Sequence, residues 1–204
     1  MYIPPHFAQH DRDALFDLIE AHSFGALVTA PDGVPFATHL PFLLDREREV
    51  LRGHMARANP QWQSFASGVS ESLVVFQGPH AYISPSWYET RLSVPTWNYT
   101  VVHVYGVPRL LTDAGALLQL LTDLVHQHES PLAEQWSMDV LPADYVDGMA
   151  QAIVGFEIPI ARLEGKWKLS QNRASGDVVG AAAGLAEQAD AGSQDVAALM
   201  RSMG

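Results

Sequence analysis

The chain has no cysteine. Disulfides, iron–sulfur clusters, thiolate zinc sites and cysteine nucleophiles are therefore excluded. Basic residues are scarce as well: 12 Lys and Arg stand against 23 Asp and Glu, for a formal net charge of −11. That balance repels a phosphate backbone over most of the surface and disfavours direct contact with DNA. No apolar run approaches the roughly 20 residues of a membrane span. Met1 to His6 also lacks the basic start and apolar core of a signal peptide, so the expected location is cytoplasmic, with no membrane partner. Serine-nucleophile motifs, Walker loops and the dinucleotide glycine fingerprint are missing, and no catalytic triad can be assembled.

What remains is a chain of 204 residues, 48% hydrophobic and 17% charged. It is long enough for one domain with a substantial core. Asp11 to His22 has apolar residues at Ala14, Leu15, Leu18 and Ile19, the spacing of a helix with one buried face. After Gly25 the period shortens to that of strands. Ala26 to Ala30 and Phe36 to Leu44 read as a hairpin turning at Asp32-Gly33, and Val50 to Met55 reads as a third strand. Further β runs are Ser72 to Phe76, His80 to Ser84, Trp97 to Leu111, and a segment or pair within Ile153 to Ser170. Thr112 to His128 carries the broadest helical apolar face, and a shorter helix spans Pro142 to Ala152. Two weaker helical patterns occupy the Ala- and Gly-rich tail. Five to seven strands in hairpin order, with helices between and after them, predict an α+β fold: a mostly antiparallel sheet closed into a barrel.

The stretch from Gly53 to Trp62 is the first candidate site. Asn59 has the side chain of a helix cap, and Pro60 suits the first helical position because its missing N–H would be unpaired there anyway. Arg57, one short loop upstream, has a guanidinium that grips phosphate in two-pronged fashion. An ordinary capped helix with a solvated Arg explains the same residues. Pro95 to Tyr99 supplies a second candidate, where a planar ligand could stack on Trp97 and bond Asn98. The only clustered basic stretch, Gly165 to Arg173, is a third, suited to an anionic, aromatic ligand. Packed aromatics and a solvated strand end are the plainer explanations. Of nine histidines, neither His6 with His10 nor His126 with His128 fits a zinc pattern, so no metal is expected. His39, His54 and His103 interrupt apolar strands, as hydrogen-bonded core or interface histidines do.

Met1 to Phe7, His39 to Phe42, Gly53 to Pro60, Gly78 to Tyr88, Pro95 to Tyr99 and Lys168 to Arg173 together resemble the PaiB family, described as FMN-binding negative transcriptional regulators. The resemblance covers nearly the whole chain in order. It implies the FMN-binding split barrel over residues 1–173, with 174–204 as a helical extension packed on the same domain. It also implies a homodimer with FMN at the subunit interface. Carried over residue by residue, the phosphate would meet Arg57 with His54, Ala56 and Asn59 beside it. Thr38, His39 and Leu40 would line the isoalloxazine. The partner subunit would add Trp97, Asn98, Lys168, Gln171 and Arg173. Pyridoxamine phosphate oxidases of the same fold carry a longer basic cluster around the phosphate, whereas this chain has only Arg57 there. Three functions follow as alternatives: a PaiB-type regulator, an FMN-dependent oxidoreductase whose effect on transcription is indirect, and a haem-handling split barrel.

Overall fold

A computed structural model describes residues 1–66 and 71–203. In chain order the strands are β1 (Ala8–Gln9), β2 (Phe24–Thr29), β3 (Phe36–Pro41), β4 (Leu43–Asp45), β5 (Val50–Ala56), β6 (Ser72–Ile83), β7 (Thr96–Gly106), β8 (Arg109–Leu110), β9 (Ile153–Pro159) and β10 (Arg162–Lys168). The helices are α1 (Arg12–Ala21), α2 (Gln63–Ala66), α3 (Ala114–Glu129), α4 (Ala143–Ala150), α5 (Ser175–Ala186) and α6 (Ala191–Ser202). The chain forms two compact units interleaved in sequence. One comprises Met1–Leu18, Gln77–His103 and the residues from Glu164 onward; the other comprises Ile19–Phe76 and Val104–Leu163. Both β6 and β7 contribute to each unit.

The unit of Ile19–Phe76 and Val104–Leu163 holds a hairpin and a four-stranded sheet. β2 pairs with β3 and, on its other side, with the first half of β6, all antiparallel. The hairpin turns where the sequence predicts, with Asp32 at φ 54° and Gly33 at φ 78°. These are left-handed values that Gly and Asp tolerate better than most residues. The expected long second strand is cut at Phe42, 1% exposed, and continues as β4 in the sheet β4-β5-β9-β8. Burial of that ring is the reason for the cut. Phe42 packs edge-on against Phe76 and Phe156, at 5.5 and 6.2 Å between ring centroids, and Phe65 meets Phe156 at 5.3 Å. A Cβ at Gly53 would stand 3.0 Å from the Phe156 ring, so a glycine makes room for the cluster. α3 begins at Asp113, whose carboxylate accepts the Ala116 N–H, and it buries Leu120 and Leu124.

The unit built from the two ends and the middle of the chain holds β1, β10, β7 and the second half of β6 in that order. β1 pairs antiparallel with β10, Ala8 facing Lys166. The proline-rich start thus gains a short helical turn, Pro5–Phe7, and a two-residue strand. Ser72 to Phe76 and His80 to Ser84, read as separate runs, form the single strand β6, which carries Pro79 within it. β9 and β10 do not pair with each other; each joins a different sheet. In α5, Gly176, Gly180 and Gly184 recur every fourth residue and form one bare stripe. Glu89 lies over the first, the Trp87 carbonyl over the second and the Trp87 indole over the third. The Pro85 to Pro95 loop is fastened there further by the Thr90 N–H, which donates to Asp177 Oδ1 at 3.0 Å. That bond, foremost, holds the Asp177 carboxyl below the usual carboxylate range.

Candidate functional site

In the unit of Ile19–Phe76 and Val104–Leu163, the turn after β5 carries Arg57 and Asn59. Asn59 caps as predicted: its Oδ1 accepts the Gln61 N–H at 3.0 Å, and a helical turn Pro60–Trp62 leads into α2. The predicted helix continued to about Ser67, which lies outside the described residues. Asn59 Nδ2 donates to Thr38 Oγ1 at 2.9 Å, tying the turn to β3. Because that bond uses the Thr38 oxygen as acceptor, the hydroxyl proton is left for another acceptor. Arg57 is exposed, and Nε and Nη2 donate to the carbonyls of Gln151 and Ile153 at 2.7 and 2.8 Å. Among the described residues three of its five N–H donors stay unspent, and the two bonds fix the guanidinium plane.

β3 is the last strand of its sheet, so among the described residues one side of its backbone has no strand neighbour. Thr38 is half-buried, His39 exposed and Leu40 buried on that strand. A residue the sequence reading passed over underlies this arrangement. Gln61, 3% exposed, donates from Nε2 to Leu27 O, Thr29 Oγ1 and Phe36 O, stitching the hairpin to the turn. Its place one residue beyond the cap and Pro60 was the available signal.

His54 and Ala56 occupy different surroundings from Arg57. Across the β5–β9 ladder Gly53 faces Phe156, while His54 faces Gly155 and Arg52 faces Glu157. Alternation therefore directs Gly53 and Met55 to the aromatic core, and directs His54 and Arg52 to the opposite face. Arg52 there reaches Asp123 of α3 at 2.7 Å, and the Gly155 position abuts Leu117. His54 Nδ1 is buried without a hydrogen-bond partner, and burial pushes the imidazole pKa down. Ala56 is exposed at the strand end.

Trp97, Asn98, Lys168, Gln171 and Arg173 all fall in the other unit. Trp97 is 47% exposed, with His80 stacked on it at 5.8 Å and Tyr82 against its edge at 6.2 Å. Asn98 is wholly buried; its amide bonds Ser170 Oγ at 3.0 Å and Met200 Sδ at 3.4 Å. Gln171 spends both ends of its amide on the adjoining backbone, accepting from Leu169 N and donating to Trp167 O. Asn98 and Gln171 thus spend their amides within the protein, Trp97 keeps an exposed ring, and Lys168 and Arg173 line a small cavity. Thr96 and Ser170, which lie within the candidate stretches but carry no assigned role there, complete the wall of that cavity.

Residues 1–162 match the family model described as "Putative FMN-binding domain". The protease synthase and sporulation protein PAI 2 of Bacillus subtilis, the PaiB protein, is 36% identical over 98% of this chain and 96% of its own length. An uncharacterised protein of Emericella nidulans is 31% identical over 100% of this chain and 98% of its own. Among solved structures, the flavocytochrome Anf3 of Azotobacter vinelandii aligns with a TM-score of 0.62 at 14% identity, covering 87% of this chain and 78% of that one. The FAD and heme binding protein of Mycobacterium smegmatis aligns with a TM-score of 0.60 at 15% identity, covering 84% and 78%. At those identities the likeness establishes the fold, an α+β split barrel.

Proposed function

The chain belongs to the FMN-binding domain family that includes the Bacillus PaiB protein, and from that premise we propose that it is a homodimeric, PaiB-type regulator that binds FMN and acts on transcription without gripping DNA. The observation that carries this reading is the Arg57–Asn59–Thr38 grouping. It combines a guanidinium oriented on the Gln151 and Ile153 carbonyls with Asn59, two residues on, whose amide reaches the Thr38 hydroxyl of β3, the last strand of its sheet among the described residues. That donor set fits a phosphate monoester with a polar chain beyond it. Arg57 would hold the phosphate, Thr38 and the β3 backbone at His39 and Leu40 would meet the flavin, and Trp97 of a second copy would cover the ring. FMN, when bound, supplies hydride and electron transfer, and the protein supplies orientation and hydrogen bonds.

Exposed apolar side chains support a second copy. Tyr82, Leu92, Val94 and Trp97 are exposed in one unit, and Phe24, Val34 and Phe36 flank the free strand edge in the other. The charge of −11 favours an indirect effect on transcription, through a small-molecule activity or a protein partner. The oxidoreductase alternative shares this site and differs only in what the flavin is for.

The test is a visible spectrum of the purified protein before and after addition of FMN and desalting, read together with its elution volume. Two flavin bands travelling with a dimer are expected. A colourless protein that releases all added FMN would overturn the reading, and a haem band would replace it.

A further inference from the structure

A cavity of about 120 Å³ lies within the unit built from the chain ends and middle, walled by Val94, Thr96, Asn98, Lys168, Asn172 and Arg173. Lys168 Nζ donates to Thr96 Oγ1 and to the Trp97 carbonyl, each at 2.5 Å, which leaves one ammonium proton unspent. Among the described residues no carboxylate pairs with it. Burial, then repulsion from Lys166 and Arg173, pushes its pKa down. Arg173 lies over the Tyr88 ring at 4.4 Å, donates from Nη1 to Ser93 Oγ, and approaches Asp177 to 3.8 Å. One carboxylate thus answers two cations.

Ser170 also lines the cavity. It is 3% exposed and holds a φ of 69°, a costly conformation for a residue with a side chain. The buried Asn98 amide and the Arg173 N–H to Ser170 carbonyl bond at 2.9 Å keep it there. In a chain of net charge −11, these cations are gathered where solvent is partly excluded and where opposing charge is short. The space admits a carboxylate or phosphate group but is too small for an isoalloxazine.

We infer that this cavity is an oxyanion subsite for the carboxylate or phosphate group of a small-molecule substrate. Calling the ligand a substrate rests on the flavin reading above; the anion site does not. Lys168 supplies the point charge, Arg173 a second donor, and Asn172 an amide at the mouth. The cofactor's own phosphate is the competing occupant of the same chemistry.

The experiment is calorimetric titration of the FMN-saturated full chain with inorganic phosphate and, separately, with benzoate. At least one should bind, at least about tenfold more weakly in Lys168→Met and with most of the affinity restored in Lys168→Arg. Should Lys168→Met fail to fold, Asn172→Asp, an exposed change that sets a negative charge at the mouth, should weaken binding by a similar factor. Equal affinity across these variants, or no binding of either anion by wild type, would overturn the inference. So would anion binding seen only without FMN and abolished by it, because the cofactor phosphate would then be the occupant. Failure to retain flavin defeats the flavin reading alone, and the same titrations on the flavin-free chain still decide the subsite.

Discussion

Arg57 and His54 stand three positions apart on or just after β5, yet their environments assign them different physics. Arg57 is exposed and oriented by two carbonyls. Arg57→Ala should lower FMN affinity about tenfold or more while leaving riboflavin, which has no phosphate, nearly unchanged. Equal losses for both flavins would place the phosphate elsewhere. His54 is half-buried, its Nδ1 is enclosed without a hydrogen-bond partner among the described residues, and desolvation lowers its pKa. A lowered folded-state pKa means that the unfolded chain binds the proton more readily, so this contribution to stability is complete above the ordinary value near 6.5 and declines as pH falls below it. Denaturation at pH 7.5 and 5.5 should show wild type losing more stability across that interval than His54→Gln. Parallel losses would mean that His54 charges as easily folded as unfolded.

Two helical glycines make an opposed pair of predictions at the level of the element. A Cβ at Gly184 would stand 2.4 Å from the Trp87 indole, whereas one at Gly148 in α4 would meet nothing within 4 Å. Gly184→Ala should destabilise by about 1–3 kcal/mol through overpacking, and Gly148→Ala should stabilise by about 0.5–1 kcal/mol by restricting the unfolded chain. Thermal melts of the two variants read both signs. The same helices show what could be read from sequence. The spacing in α1 and α3, the Asp32-Gly33 turn and the Asn59 cap each rest on local chemistry, and the structure has them close to where the residues predict. Partition of β4 from β3 and of β9 from β10 depends on which sheet each strand joins, a long-range choice that alternation does not encode. The glycines of α5 looked like a weak helix because their value lies in what Trp87 does about ninety residues upstream. Arg57 and Lys168 were legible as cations; that one is anchored on backbone carbonyls and the other lacks a carboxylate was not.

Over the whole molecule, positive charge is scarce, and several of the arginines are engaged with carboxylates. Arg46, Arg48 and Arg52 pair with Glu20, Glu157 and Asp123 at 2.6, 3.0 and 2.7 Å, and Arg162 approaches Glu71 at 3.4 Å. Cations so engaged contribute little to a phosphate-backbone footprint. Titration of labelled DNA should therefore show no binding even at low salt, and tight, salt-sensitive binding would restore direct repression. The interleaving of the two units has a different consequence, for how such a protein can be divided or inherited. The chain passes from one unit to the other after residues 18, 76, 103 and 163, once within α1 and three times within a strand, β6, β7 and β10. Neither unit corresponds to a contiguous stretch of gene. Fusion or loss of a single exon-like block cannot deliver half of this architecture, and a protease nick within β6 or β7 cuts into both units at once.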